Sequence, residues 1–213
     1  MVQLEQIRTV LILLEQNRKP TMLEEFKGYS PFQLLVSTLL SSRTKDLTTI
    51  PIAQKLFEDY KTPQDFIEIS QLLLEQKLYG IGFYKTKAKH IKELSRILVE
   101  RYNGAVPKTM GELILLPGVG VKTASCLLSY TFNLPAIAVD THVHRISNRL
   151  GWIKTATPTE SQKALEKLIP KELWNQINPV LVSHGQGICK PIGPQCGLCA
   201  VLKYCEFGKK RVL

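Results

Sequence analysis

No apolar run in this chain is long enough to cross a bilayer. The uncharged stretch Thr123 to Val139 has seventeen residues and is broken by Asn133 and Pro135, whereas a spanning helix needs about twenty predominantly apolar residues. It reads instead as a buried helix followed by a turn. A secretory leader is also missing, since Glu5, Arg8 and Glu15 interrupt the N-terminal apolar residues, so an intracellular protein with no membrane partner is expected. Cysteines number only five, and thiols inside cells stay reduced, which argues against a disulfide framework. Strand-type alternation, internal repeats and low-complexity segments are lacking. Acidic residues are outnumbered: 18 Asp and Glu face 28 Lys and Arg, a formal net charge of +10. That excess favours a polyanionic partner, nucleic acid being the commonest; the plain alternatives are a ribosome-associated protein or simply a soluble basic one.

What is present is helical periodicity. A hydrophobic fraction of 44% over 213 residues argues against disorder and allows one domain or two small ones. Leu4, Ile7, Val10, Leu11 and Leu14 keep the spacing of an amphipathic helix. Ser30-Pro31-Phe32-Gln33 and Thr157-Pro158-Thr159-Glu160 pair an N-cap hydroxyl with a Gln or Glu three residues on, with proline at the first helical position; Thr109 to Glu112 repeats the box without proline. Further helices are predicted over Lys45 to Asp59, Tyr84 to Tyr102, Lys122 to Phe132, Thr141 to Leu150 and Lys171 to His184. After Ile188 the regular spacing stops and cysteine, glycine and proline crowd together.

Three constellations carry chemistry. Cys189, Cys196, Cys199 and Cys205 are spaced C-x6-C-x2-C-x5-C. An all-sulfur donor set suits zinc or an iron–sulfur cluster; zinc sites usually show two short knuckles, and a four-iron cube, whose ligands lie further apart, fits this spacing better. Cys126 sits in an apolar helix and reads as a small core residue. The second constellation is Leu116-Pro117-Gly118-Val119-Gly120-Val121-Lys122-Thr123-Ala124, a tight turn leading into a helix start. Gly118, Val119 and Gly120 would bring backbone amides up to an anion such as a DNA phosphate; a plain helix–helix turn is the alternative. Lys122 falls in the first turn, where the helix dipole disfavours its ammonium, so its amine suits nucleophilic attack; a solvated lysine touching phosphate is the competing reading. In the third, Val139-Asp140-Thr141-His142-Val143-His144-Arg145, Asp140 looks like an N-cap, which holds the carboxylate rigidly whether or not it does chemistry. His142 and His144 are candidates for phosphate contact, and Arg145 for bracing the helix.

Together these motifs, in this order, resemble the endonuclease III family of helix–hairpin–helix DNA glycosylases. Ser30-Pro31-Phe32, Leu39-Leu40-Ser41-Ser42 with Thr44 and Asp46, and Ile81-Gly82-Phe83-Tyr84 with Lys87-Ala88 extend the resemblance over nearly the whole chain. It implies an all-α fold of two helical lobes, one spanning 25–133 with the helix–hairpin–helix and the other 1–24 plus 134–213 with a C-terminal four-cysteine iron–sulfur loop. Double-stranded DNA carrying a damaged base or abasic site would bind in the cleft between them, with Lys122 on one side and Asp140 on the other. The implied activity is that of a bifunctional DNA glycosylase/AP lyase of base excision repair. Lys122 would form a Schiff base and Asp140 would activate it or stabilise charge on the sugar, with the base flipped from the duplex. A 4Fe–4S cluster on the four cysteines is the implied cofactor. The family resemblance also implies a monomer, located with the DNA in the cytoplasm or nucleoid, or in the nucleus of a eukaryote.

No acidic residue lies between Pro31 and Lys45, where adenine-removing relatives use a glutamate, so oxidised pyrimidines are the expected substrates. Arg43 stands where family members often have glutamine filling the gap left by the flipped base. Ile81 or Phe83 would supply an apolar wedge. Lys190, with Lys209, Lys210 and Arg211, would meet the phosphate backbone, as would Lys85 and Lys87. Two other readings stay open: a mismatch or uracil-type glycosylase with weak lyase action, and a non-catalytic DNA-binding protein that uses hairpin and cluster as a scaffold.

Overall fold

The computed structural model describes residues 4–16 and 18–212, and among these every regular element is helical. The chain divides into two compact units, Met22–Phe132 and a second formed by the residues up to Thr21 together with those from Asn133 onward.

The first unit is built around the Pro31–Ser41 helix, in which every residue from Phe32 to Leu40 is buried. A helix buried on all faces must hide its polar groups in its own backbone. Ser37 Oγ accordingly donates to Gln33 O at 2.8 Å and Thr38 Oγ1 to Leu34 O at 2.7 Å. Its start carries the reciprocal box read from Ser30 and Gln33. The long Tyr84–Tyr102 helix packs against Pro63–Glu68 and turns Ala88, Ile91, Leu94 and Leu98 inward at three- and four-residue spacing. Leu98 is fully buried, so Leu98→Ala would cost about 2–5 kcal/mol. The helix stops where Asn103 turns left-handed (φ 52°) and Gly104 N–H reaches back to Leu98 O at 2.9 Å.

Three predicted elements differ in detail. The Lys122–Phe132 helix is a short α-helix, Val121–Cys126, that widens into a π-helical turn over Leu127–Thr131 and ends at left-handed Asn133. The final predicted helix starts as a 3-10 turn at Lys171–Leu173 and runs on as Trp174–Gly187. At Thr109 the hydroxyl accepts from Glu112 N–H, but its proton goes to the Glu112 carboxylate at 2.6 Å, and only a four-residue helix, Met110–Leu113, follows. The structure adds a box of its own at Thr62, where the Asp65 carboxylate accepts from Lys61 and Thr62 N–H at 2.7 and 2.9 Å.

In the second unit the N-terminal helix Leu4–Glu15 lays Ile7, Val10, Leu11 and Leu14 against the Trp174–Gly187 helix. Thr141–Leu150 packs on that helix as well and contributes Val143, Ile146 and Leu150. The apolar run before Asp140 supplies Ile137 and Val139 to the same core. Cys189, Cys199 and Cys205 border this core, so the irregular tail is anchored to packed apolar residues.

Candidate functional site

In the first unit the hairpin turn follows the short Met110–Leu113 helix. Val119 is buried, its N–H bonded to Leu116 O at 3.0 Å, while Gly118 and Gly120 are exposed on either side. Gly118 has φ 78°, and a Cβ there would lie 2.8 Å from His90 Nδ1, so both conformation and space demand glycine. A Cβ on Gly120 would meet nothing within 4 Å, so the backbone is open to an approaching group. Gly120 caps the Val121–Cys126 helix, whose first amides have no partner within the helix. Lys122 is the second residue of that helix and is exposed, with Thr123, Ala124 and Ser125 buried beneath.

Two loops of the same unit come together. Arg43 (φ 55°) and Phe83 (φ 57°) are both left-handed, and the guanidinium of Arg43 stands 5.2 Å from the Phe83 ring centre. Phe83 is 63% exposed whereas Ile81 is 2% exposed. The apolar residue offered outward by this loop is therefore Phe83; Ile81 is committed to the core and cannot act as a wedge. Lys85 is exposed, but Lys87 is not: it is buried with its Nζ bonded to protein oxygens, which removes it from the phosphate contacts expected of it.

In the second unit Asp140 caps the Thr141–Leu150 helix. Its Oδ1 accepts from His142 N–H at 2.9 Å and from Val143 N–H at 2.8 Å, leaving Oδ2 out of the cap. His144 Nδ1 lies 2.6 Å from Ser161 Oγ, in a network with Thr155 and Asn148 that ties down the next loop. Arg145 braces the helix, as its position suggested: Nη2 donates to Cys189 O at 2.9 Å and lies 3.1 Å from His142 Nδ1.

Cys189, Cys196, Cys199 and Cys205 line one pocket, walled by Ile146, Leu150 and Val201. Among the described residues no three His, Cys, Asp or Glu side chains are arranged to share a single metal ion. Burial pushes the Cys199 and Cys205 thiols up, and the neighbouring cysteines add to the rise. Four sulfurs that repel one another when ionised fit a group with a positive metal core. N–H groups already point at them, among them Arg149 Nη1 at 3.3 Å from Cys189 Sγ and Gly208 N at 3.3 Å from Cys205 Sγ. Arg149 also donates to Lys190 O at 2.7 Å and Pro191 O at 3.0 Å, with Phe207 4.5 Å away under its guanidinium. Its side chain thus orders the first loop, while the Lys190 side chain stays exposed. Arg149 escaped the sequence reading because its partners lie some forty residues on.

Residues 36–171 match the family model described as HhH-GPD superfamily base excision DNA repair protein. The chain is 50% identical over 185 residues to endonuclease III of Thermotoga maritima, covering 87% of each protein. It is similar to a non-covalent endonuclease III–DNA complex, with TM-score 0.89, 40% identity and 99% of both chains covered. A trapped endonuclease III–DNA covalent intermediate matches over 100% of both chains, with TM-score 0.87 and 38% identity.

Proposed function

This chain belongs to the HhH-GPD superfamily of base excision DNA repair proteins and, within it, to the endonuclease III family, and from that premise we propose that it is a bifunctional DNA glycosylase/AP lyase working through Lys122 and Asp140. The observation that carries the reading is an exposed lysine in the first turn of the helix that follows the glycine hairpin. The dipole at that position disfavours the ammonium, and an amine is the nucleophile a Schiff base requires. Lys122 Nζ attacks the sugar carbon of a flipped nucleotide, the bond to the base breaks, and the base leaves with the electron pair. Ring opening gives an imine, and β-elimination through it releases the 3′ phosphate. Asp140, fixed by its capping bonds, stabilises the positive charge that develops on the sugar.

The exposed backbone at Gly118 and Gly120 takes a backbone phosphate, while Val119, whose N–H is already bonded to Leu116 O, anchors the turn from beneath. Arg43 fills the gap left by the flipped base and Phe83 wedges the neighbouring stack. Lys190 meets the phosphate backbone, which makes binding salt-dependent. The lack of an acid between Pro31 and Lys45 supports oxidised pyrimidines as substrates. Cys189, Cys196, Cys199 and Cys205 hold a 4Fe–4S cluster, whose positive core, when bound, neutralises their thiolates and cross-links the tail. The lobes of this reading are 25–133 with the hairpin and 1–24 plus 134–213 with the cysteine loop, a division that the compact units about Met22–Phe132 support, and the enzyme works as a monomer where the cell keeps its DNA.

Borohydride trapping tests the mechanism. Wild-type protein with a thymine-glycol duplex gives a covalent adduct, and Lys122→Ala gives none. An adduct retained by Lys122→Ala refutes the lysine assignment, and base release that leaves the abasic strand uncut identifies a glycosylase without lyase action.

A further inference from the structure

A lysine ammonium is rarely buried unless its protons are matched by acceptors. Lys87 is 9% exposed, and its Nζ lies 2.9 Å from Leu40 O, 2.5 Å from Ser42 O and 3.3 Å from Thr44 Oγ1. Leu40 and Ser42 lie at the end of the Pro31–Ser41 helix, where the last carbonyls lack partners and the dipole is negative. The ammonium therefore caps that helix from a neighbouring one and dictates the path of the chain leaving it.

The second loop is joined through the same point. Thr44 Oγ1, one of the oxygens facing Lys87, accepts from Gly82 N–H at 3.0 Å. A Cβ on Gly82 would come within 2.7 Å of Arg43 O, so the two loops touch backbone to backbone. Between them stand Arg43 and Phe83, both left-handed. Such a conformation is disfavoured for a non-glycine residue and persists only where its surroundings over-determine it.

We propose that Lys87 is a positioning residue that locks the Ser42–Thr44 and Gly80–Tyr84 loops into one edge, so that Arg43 and Phe83 meet the duplex already assembled as a pair. The proposal rests on the reading that this edge enters the gap in the DNA. Preassembly lowers the ordering cost of binding, so Lys87 acts on affinity for gapped DNA and not on the rate of bond breaking.

The test uses the full chain with its cluster. In Lys87→Met, amide exchange at residues 42–44 and 80–84 of the free protein speeds up by about tenfold or more, and the Kd for a duplex with a tetrahydrofuran abasic analogue rises by about tenfold, equivalent to 1.4 kcal/mol. The single-turnover rate at saturating enzyme changes less than about twofold, which a general loss of structure would not permit. Thr44→Val, which removes only the hydroxyl bridge to Gly82, shifts both readouts the same way by less, and Lys87→Arg recovers part of the affinity. Wild-type exchange and wild-type Kd in both Lys87→Met and Thr44→Val overturn the proposal. Arg43→Ala and Phe83→Ala are measured alongside: if both bind the abasic duplex like wild type while Lys87→Met still loosens the loops, it is the DNA reading of this edge that has failed.

Discussion

Replacing Arg149 by methionine keeps much of the side chain's bulk and removes its guanidinium. Lost with it are the N–H contact to Cys189 Sγ, the bonds to Lys190 O and Pro191 O, and the stacking over Phe207. Two bonds from a charged donor are worth about 1.5–3 kcal/mol each and an exposed cation–π contact about 0.5–1 kcal/mol. Lys190 and Pro191 are exposed, so water replaces much of what their carbonyls lose. Discounting by about half leaves, at its low end, roughly 2 kcal/mol in favour of the closed loop, or at least about a thirtyfold change in its opening equilibrium. If the cluster escapes by opening of that loop, iron release to an excess ferrous chelator, followed at 25 °C, should run at least about thirtyfold faster in Arg149→Met. Arg149→Lys, which keeps the charge but not the planar fork, should fall between. Release within twofold of wild type in Arg149→Met would refute the reasoning, because the arginine would then hold nothing that the cysteines do not hold already.

Asp140 separates capping from chemistry: Asp140→Asn keeps an oxygen for the cap and should change unfolding free energy by less than about 0.5 kcal/mol, whereas Asp140→Ala loses about 1 kcal/mol. Both should lose most base release, and a fully active Asp140→Asn would confine the residue to its cap. Gly118→Ala should weaken binding to undamaged duplex by about tenfold, since the left-handed turn costs about 1–2 kcal/mol and the methyl runs into His90; an unchanged salt-matched Kd would remove the hairpin from the interface. Burial pushes Lys87 down to about 8 from an ordinary 10.5, so between those pH values the unfolded chain holds a proton that the folded chain has released. Stability contributed by Lys87 should therefore rise across pH 8–10.5 and fall away as pH drops through 8. At about 1.4 kcal/mol per tenfold the upper bound is roughly 3 kcal/mol, reduced by the three oxygens that favour the ammonium. Denaturant unfolding of wild type minus Lys87→Met across that range checks the sign.

Local chemistry was readable from residue types, and non-local chemistry was not. Ser30 with Gln33 and Thr157 with Glu160 form the reciprocal boxes their spacing announces, and Asp140 caps its helix because a carboxylate before a helical run has few better partners. Thr62 went unread because its partner is Asp65, shorter than the Glu or Gln sought there. No proline or glycine marks the π-helical turn at Leu127–Thr131, so the spacing of apolar residues reads straight through it as one α-helix. Ile81 and Phe83 look equally apolar in sequence; a left-handed residue after Gly82 decides which one faces out. Lys87 and Arg149 carry the sharpest lesson. Long cationic side chains are expected in solvent, and only the fold brings unpaired carbonyls to them from distant segments.

The ten residues of Thr141–Leu150 span about 15 Å. Its first turn is closed by its own capping carboxylate, while the flank and the far end are bolted to the cysteine tail by Arg145 and Arg149. Such a strut has little freedom to bend. A displaced tail would therefore pull on this helix directly, through two guanidinium groups.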